Sequence, residues 1–267
     1  MKNTIKSTLI NIDSLWSTPF KLKADSYTND PSLNLLSGTN VYKAEEWSLT
    51  RKKSAICGQM DGGIYDNNNN YLRYIFSLES FKVSSCIDLT NQFDFNQYKN
   101  VLEIGCGSMI QALIIKKRFM HLRYLATDFD PYIIDKCSKL SILDDIEKDI
   151  LDVTNIDTET FPNDIDLLIS YGVDYAIEDK YLLSLFSSAK EYSISYLMCS
   201  PSIIGILQYL NIKKNKSLYS KLLKEHKIRM HGWNRSIGYL KQLASKANMK
   251  INVIGKFGSY FCLLFEP

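Results

Sequence analysis

Asn100-Val101-Leu102-Glu103-Ile104-Gly105-Cys106-Gly107-Ser108 is a short apolar run that ends in two glycines. Val101, Leu102 and Ile104 show no polar alternation, which suits a strand covered on both faces, as in a parallel sheet. Gly105 and Gly107 let the backbone turn sharply and approach a ligand with no Cβ in the way. Beyond the turn, Ile110, Leu113 and Ile114 recur at helical spacing. They predict a helix over residues 108–119 that packs back on the strand. Strand, glycine turn and helix in this order make a corner suited to a nucleotide-like ligand.

The same rhythm continues downstream. Strands are expected at residues 123–127, 146–150, 165–170 and 195–199, with helices over 131–140 and 177–192 between them. Pro131 suits a first helical position, where its missing N–H costs nothing. Leu182, Leu185, Phe186 and Ala189 form one apolar stripe. Strands alternating with helices predict a parallel sheet covered on both sides. Two further strands, 251–255 and 260–265, are separated only by Lys256-Phe257-Gly258-Ser259. So short a link forms a hairpin and not a parallel crossover, so the last strand should run against the others.

Upstream the pattern is weaker. Residues 1–40, with Pro19 and Pro31, read as an irregular arm, followed by a helical segment over 41–51, a glycine loop at Gly58, Gly62 and Gly63, and a helix over 71–86. The N-terminus has no apolar segment like that of a secretion signal, and no apolar run approaches the ~20 residues that span a bilayer. The expected location is the cytoplasm. Six cysteines are scattered without CxxC spacing and apart from the three histidines. They read as small buried hydrophobes, with neither a disulfide framework nor a metal site.

A net charge of +3 says little, but its distribution is uneven. Residues 144–179 hold twelve acids and one base, Lys148, whereas residues 211–250 hold eleven bases and one acid, Glu225. The basic block is either a solvated helix face or a rim that attracts an anionic substrate.

The α/β pattern as a whole, a Rossmann-like seven-stranded mostly parallel sheet with an antiparallel last strand, resembles the class I S-adenosylmethionine-dependent methyltransferases. The likeness covers residues 96–267, preceded by an arm and helical cap or lid over residues 1–95. It rests on the acidic glycine run from Glu103 to Met109, in which Met109 replaces the third glycine, and on Leu125-Ala126-Thr127-Asp128-Phe129-Asp130-Pro131. It rests further on Glu147-Lys148-Asp149-Ile150 and on Leu168-Ile169-Ser170-Tyr171-Gly172-Val173-Asp174. The resemblance implies S-adenosylmethionine as cofactor, held by Glu103, Gly105, Cys106, Gly107, Asp128, Phe129, Asp149, Ile150 and Ser170. Asp128 would take the ribose hydroxyls and Asp149 the adenine amino group. A plain helix N-cap is the alternative role of Asp128, and an exposed loop acid that of Asp149.

Methyl transfer from a sulfonium needs alignment and, for a hydroxyl acceptor, a base, but no metal. Base candidates are Asp174 and Tyr175 after the fourth strand of the domain, and His231 in Arg229-Met230-His231-Gly232-Trp233-Asn234-Arg235. Histidine has the pKa best placed for that work. A basic insert over 211–235 would face the acceptor, with Tyr171, Arg229, Trp233 and Arg235 as contacts. The likeness is greatest to bacterial enzymes acting on small metabolites or on sugars in polysaccharide biosynthesis. The expected partner is a small, anionic acceptor: a sugar, a nucleotide-linked sugar, or a phosphate or carboxylate metabolite, methylated on oxygen. Methylation of a metabolite nitrogen, or of nucleic acid through the basic 211–250 segment, is the alternative. The segment after the fourth strand, Ser170-Tyr171-Gly172-Val173, lacks the Asn/Asp-Pro-Pro-Tyr/Phe run expected for methylating nucleic acid. No membrane span is expected, and oligomeric state is not legible.

Overall fold

A computed structural model of the chain describes residues 21–24, 65–78, 80–156, 161–162, 164–174, 177–201, 232–257 and 260–267. The helix expected over 41–51 and most of the basic block lie outside them.

Seven strands form the main sheet: β2 (Asn100–Ile104), β3 (Arg123–Asp128), β4 (Glu147–Ile150), β5 (Leu167–Tyr171), β6 (Ser195–Pro201), β8 (Lys250–Phe257) and β9 (Tyr260–Glu266). Their spatial order is β4-β3-β2-β5-β6-β9-β8. Pairing is parallel from β4 through β6, while β9 runs antiparallel to both β6 and β8. The reversed terminal strand expected from the short link after β8 is therefore present. The strand order changes direction between β2 and β5, which opens a crevice at the carboxyl ends of those strands.

Helices cover both faces. α1 (Asn68–Leu78), α2 (Ser80–Gln92), α3 (Ile110–Arg118) and α4 (Pro131–Ser138) lie on one side, and α5 (Asp179–Glu191) and α6 (Ile237–Lys246) on the other. Side chains along each strand alternate between the two cores, as a pleat requires. Val101 joins Tyr71, Leu89 and Ile110 on the first side. Leu102 and Ile104 join Phe186, Leu240 and Phe265 on the second. The start of β2 is fixed by Asp166, whose carboxylate accepts from the Lys99 amide at 2.8 Å and the Asn100 amide at 3.0 Å.

Three features differ from the sequence expectation. The helix expected over 71–86 reaches beyond both bounds, its described residues being α1 (Asn68–Leu78) and α2 (Ser80–Gln92). Their buried residues, including Tyr71, Ile75, Val83 and Leu89, share a core with the sheet. The described part of the expected cap is thus built into the main body. The helix expected from residue 108 starts at Ile110, because Met109 at its N-cap is left-handed, with φ 57° and ψ 25°. Within the arm expected to be irregular, β1 (Lys21–Ala24) pairs antiparallel with β7 (Gly232–Arg235), part of the segment expected to face an acceptor. The pairing needs partners more than two hundred residues apart, and neither short run carries strand periodicity of its own.

Candidate active site at the glycine turn

The carboxyl ends of β2, β3, β4 and β5 supply the candidate site. After Ile104 the chain passes through three left-handed residues: Gly105 (φ 65°), Gly107 (φ 52°) and Met109 (φ 57°). The two glycines have different reasons for lacking a side chain. A Cβ on Gly105 would sit 2.6 Å from Cγ2 of Val173, so the loop after β5 packs directly on this turn. Among the described residues, a Cβ on Gly107 would meet nothing within 4 Å, leaving that position open to them. Met109 stands where the methyltransferase pattern has glycine. Its backbone conformation costs an L-residue about 1–2 kcal/mol, offset by a side chain that is fully buried.

Asp128, the last residue of β3, holds the turn. Its Oδ2 accepts from the Gly107 amide at 2.9 Å and its Oδ1 from the Asp130 amide at 3.0 Å. The helix-capping role belongs instead to Asp130, whose Oδ1 accepts from the Tyr132 amide at 3.0 Å ahead of Pro131. Cys106 donates its amide to the Thr127 carbonyl at 2.8 Å, which continues the β2–β3 ladder into the turn. Each carboxylate oxygen of Asp128 has a second lone pair for a hydroxyl donor.

Around this centre the other expected cofactor residues take distinct places. Phe129 is half-buried beside Asp128, and Asp149 and Ile150 are exposed at the end of β4. Asp149 accepts from the Ile150 amide at 2.8 Å. Ile150 is 54% exposed, a large apolar side chain standing at the rim. Cys106 is buried in the core of the α3 side. The Ser170 side chain points away from the turn: its hydroxyl pairs with the Tyr196 hydroxyl at 2.7 Å in the opposite core. Only the Ser170 backbone can face the crevice.

Glu103 lies on β2 just before the turn and is 1% exposed. Burial, reinforced by Asp128, pushes its carboxyl from 4.5 up to about 8, against the pull of Lys82, the Tyr124 hydroxyl and the Ala112 amide. Tyr124 donates to Oε2 at 3.0 Å. Ala112 is in the first turn of α3, so this acid braces the new helix against the sheet. Tyr71 on α1 braces the same turn from outside, donating its hydroxyl to the Ser108 carbonyl at 2.5 Å.

The acceptor-side candidates are only partly together. Asp174 is 1% exposed, and its Oδ2 accepts from the Ser200 hydroxyl at 2.6 Å. Tyr171 is buried, its ring tilted at 45° against Tyr260 with centroids 4.5 Å apart, and the Lys82 ammonium lies 5.2 Å from its ring centroid. Trp233 is half-buried on β7. Tyr175, Arg229 and His231 lie outside the described residues.

Arg235 requires a correction. Its side chain is fully enclosed, and its guanidinium donates to the carbonyls of Asp174 and Ile177 and pairs with Asp179, Nε to Oδ1 at 2.9 Å. All of these contacts are made within the chain, so it clamps the loop after β5 to the start of α5 and does not face an acceptor. The residues that sequence reading missed are Val173, Ser200, Lys82 and Asp179. Their roles arise from packing across the crevice, and no local spacing announces them.

No family model matches the chain, and no curated protein does either. Solved structures do. An O-methyltransferase family protein from Burkholderia thailandensis superposes with a TM-score of 0.56 at 10% identity, over 85% of this chain and 63% of that one. The N,N-8-amino-8-demethyl-D-riboflavin dimethyltransferase of Streptomyces davawensis gives 0.55 at 12% identity, over 90% and 71%. Human N-acetylserotonin methyltransferase, in complex with S-adenosylmethionine, gives 0.53 at 13% identity, over 97% and 82%. The chain spans 55% of the length of another such methyltransferase, SibL. The fold is therefore that of the class I S-adenosylmethionine-dependent methyltransferases.

The two glycines should respond differently to alanine. Gly105→Ala must displace Val173 as well as bear a positive φ, so it should lose at least ~2 kcal/mol in denaturant unfolding. Gly107→Ala bears only the backbone cost of about 1 kcal/mol. Equal losses would contradict the assignment of Gly105 to packing.

Glu103 also predicts a pH dependence. The folded state keeps its proton up to about pH 8 while the unfolded chain releases it near 4.5. The folded state therefore binds more protons across that window, and this group lowers stability as pH rises through it. Glu103→Gln should gain relative to the wild type from about pH 5 to pH 8, with a slope of at most ~1.4 kcal/mol per unit. Parallel stability curves for the two proteins would contradict it.

Proposed function

We propose that the protein transfers a methyl group from S-adenosylmethionine to a small acceptor. The single observation that carries the reading is Asp128, a buried carboxylate at the end of β3 that already grips the glycine turn and has lone pairs left for two ribose hydroxyls. The amino-acid end of the cofactor would lie on the open side of Gly107. There the N-terminus of α3 has no side-chain cap, so its amides and positive dipole end suit a carboxylate. Adenine would lie between Phe129 and Ile150, covering the apolar surface that Ile150 leaves in water, with Asp149 at its amino group. Glu103 would act mainly as the brace of the turn.

The bound cofactor supplies an activated methyl group on a positively charged sulfur. The protein's task is to exclude water and to hold the acceptor in line. Val173, packed on Gly105, would form the floor of that space. Asp174 is turned inward onto Ser200, so the proton of an acceptor hydroxyl is assigned to His231, next to β7 in the chain.

The acceptor class follows from charge. A small anionic molecule, a sugar, nucleotide-linked sugar, phosphate or carboxylate, methylated on oxygen, fits the basic 211–235 segment and Arg229. The withdrawal of Arg235 into the fold removes one cation from that segment for either kind of anionic acceptor. The solved neighbours include, by their names, an O-methyltransferase and an N,N-dimethyltransferase. The fold by itself does not choose between oxygen and nitrogen.

Titration calorimetry with S-adenosylmethionine tests the reading. Wild-type protein should bind, and Asp128→Ala, checked for folding by its thermal melt, should bind on the order of 10²-fold more weakly. Undiminished affinity in the folded variant would remove Asp128 from the site.

A further inference from the structure

Cys199 and Cys262 are direct cross-strand partners on β6 and β9. Their Sγ atoms lie 2.6 Å apart, roughly half an ångström beyond a covalent S–S bond of about 2.05 Å. Opposed residues of an antiparallel ladder have Cα atoms about 4.5–5.5 Å apart, inside the roughly 4.4–6.8 Å range that a disulfide spans. Register and sulfur separation together bring the two side chains to within bonding reach. Both are free and buried in this structure. The five described cysteines are buried and free, in keeping with their reading as small apolar residues, and two of them face each other across the ladder. Cys199 and Cys262 are 63 residues apart, so no local spacing reveals them.

The geometry points to a Cys199–Cys262 disulfide that staples the reversed strand β9 to β6. A low-molecular-weight disulfide such as oxidised glutathione supplies the oxidising equivalents. One cysteine, as its thiolate, attacks a glutathione sulfur and releases the first glutathione thiol. The other, as its thiolate, then attacks the mixed disulfide and releases the second. One S–S bond forms in the protein, one breaks in glutathione, and the two released thiols carry the two protons that the cysteines gave up. Burial and the neighbouring Cys262 raise the Cys199 thiol well above its ordinary range, so closure belongs to the folding chain, where the sulfurs are still accessible.

The bridge has two consequences. In the unfolded chain it closes a long loop that contains β7, α6 and β8, which is where a disulfide stabilises most. In the folded chain it anchors the strand segment beneath the crevice. The Cys199 carbonyl accepts the Gly172 amide at 2.8 Å, and the adjacent Ser200 holds Asp174 at 2.6 Å.

The full chain, refolded from denaturant in a glutathione redox buffer, tests the proposal. Unfolded and alkylated with N-ethylmaleimide, it should carry two fewer adducts than the reduced protein, whose six cysteines all react. Peptide mapping should join the Cys199 peptide to the Cys262 peptide. The oxidised form should melt on the order of 10 °C higher than the reduced form. Cys199→Ser and Cys262→Ser should each lose that difference. Six adducts after oxidative refolding, or a bridge from either cysteine to a different partner such as Cys86, would overturn the proposal. The mapping uses wild-type protein, so it stands even if a serine variant folds poorly.

Discussion

The carboxylate of Asp128 is the point on which the crevice depends. It stands at the end of β3 and ties the turn after β2 to the start of the β3–α4 connection through two backbone amides, Gly107 and Asp130. Hydrogen bonds to an ionised, buried acceptor contribute about 1.5–3 kcal/mol each. They hold a turn whose three left-handed residues would otherwise have many alternatives. Val173 closes the turn from the β5 side against Gly105, and Tyr71 and Glu103 close it from the helical face. The result is a braced rim that, among the described residues, is open over Gly107.

The fold was legible because its signals are local. Val101, Leu102 and Ile104 without alternation, Pro131 after Asp130, and the four-residue link before β9 each carry their own physics. Together they specify a parallel sheet with one reversed strand, and the observed order β4-β3-β2-β5-β6-β9-β8 has it. The positions of Gly105, Gly107 and Asp128 were legible for the same reason. Backbone freedom and a strand-end carboxylate are properties of the residue and its place in the element.

What stayed hidden depends on pairs distant in sequence. Arg235 in isolation reads as a cation available to an anion. Only the fold places Asp179 and two carbonyls around its guanidinium. Ser170 reads as a crevice hydroxyl until the pleat turns it onto Tyr196. Lys21–Ala24 carries no strand pattern, yet it finds Gly232–Arg235 and links the N-terminal arm to the clamp that holds the loop after β5. That pairing sets Lys21 opposite Arg235 in the ladder, next to the clamp on the loop after β5. Met109 is a different case. The missing glycine was visible in the sequence, but burial is what makes a methionine tolerable in a left-handed position.

The central claim is that the crevice over Asp128 holds the methyl donor. A crystal structure of the protein with S-adenosylhomocysteine tests it most directly. Both ribose hydroxyls should lie within hydrogen-bonding distance of the Asp128 carboxylate, with the amino-acid end over Gly107. A complex in which the ribose sits elsewhere, with Asp128 still bonded only to its own backbone amides, would contradict the account.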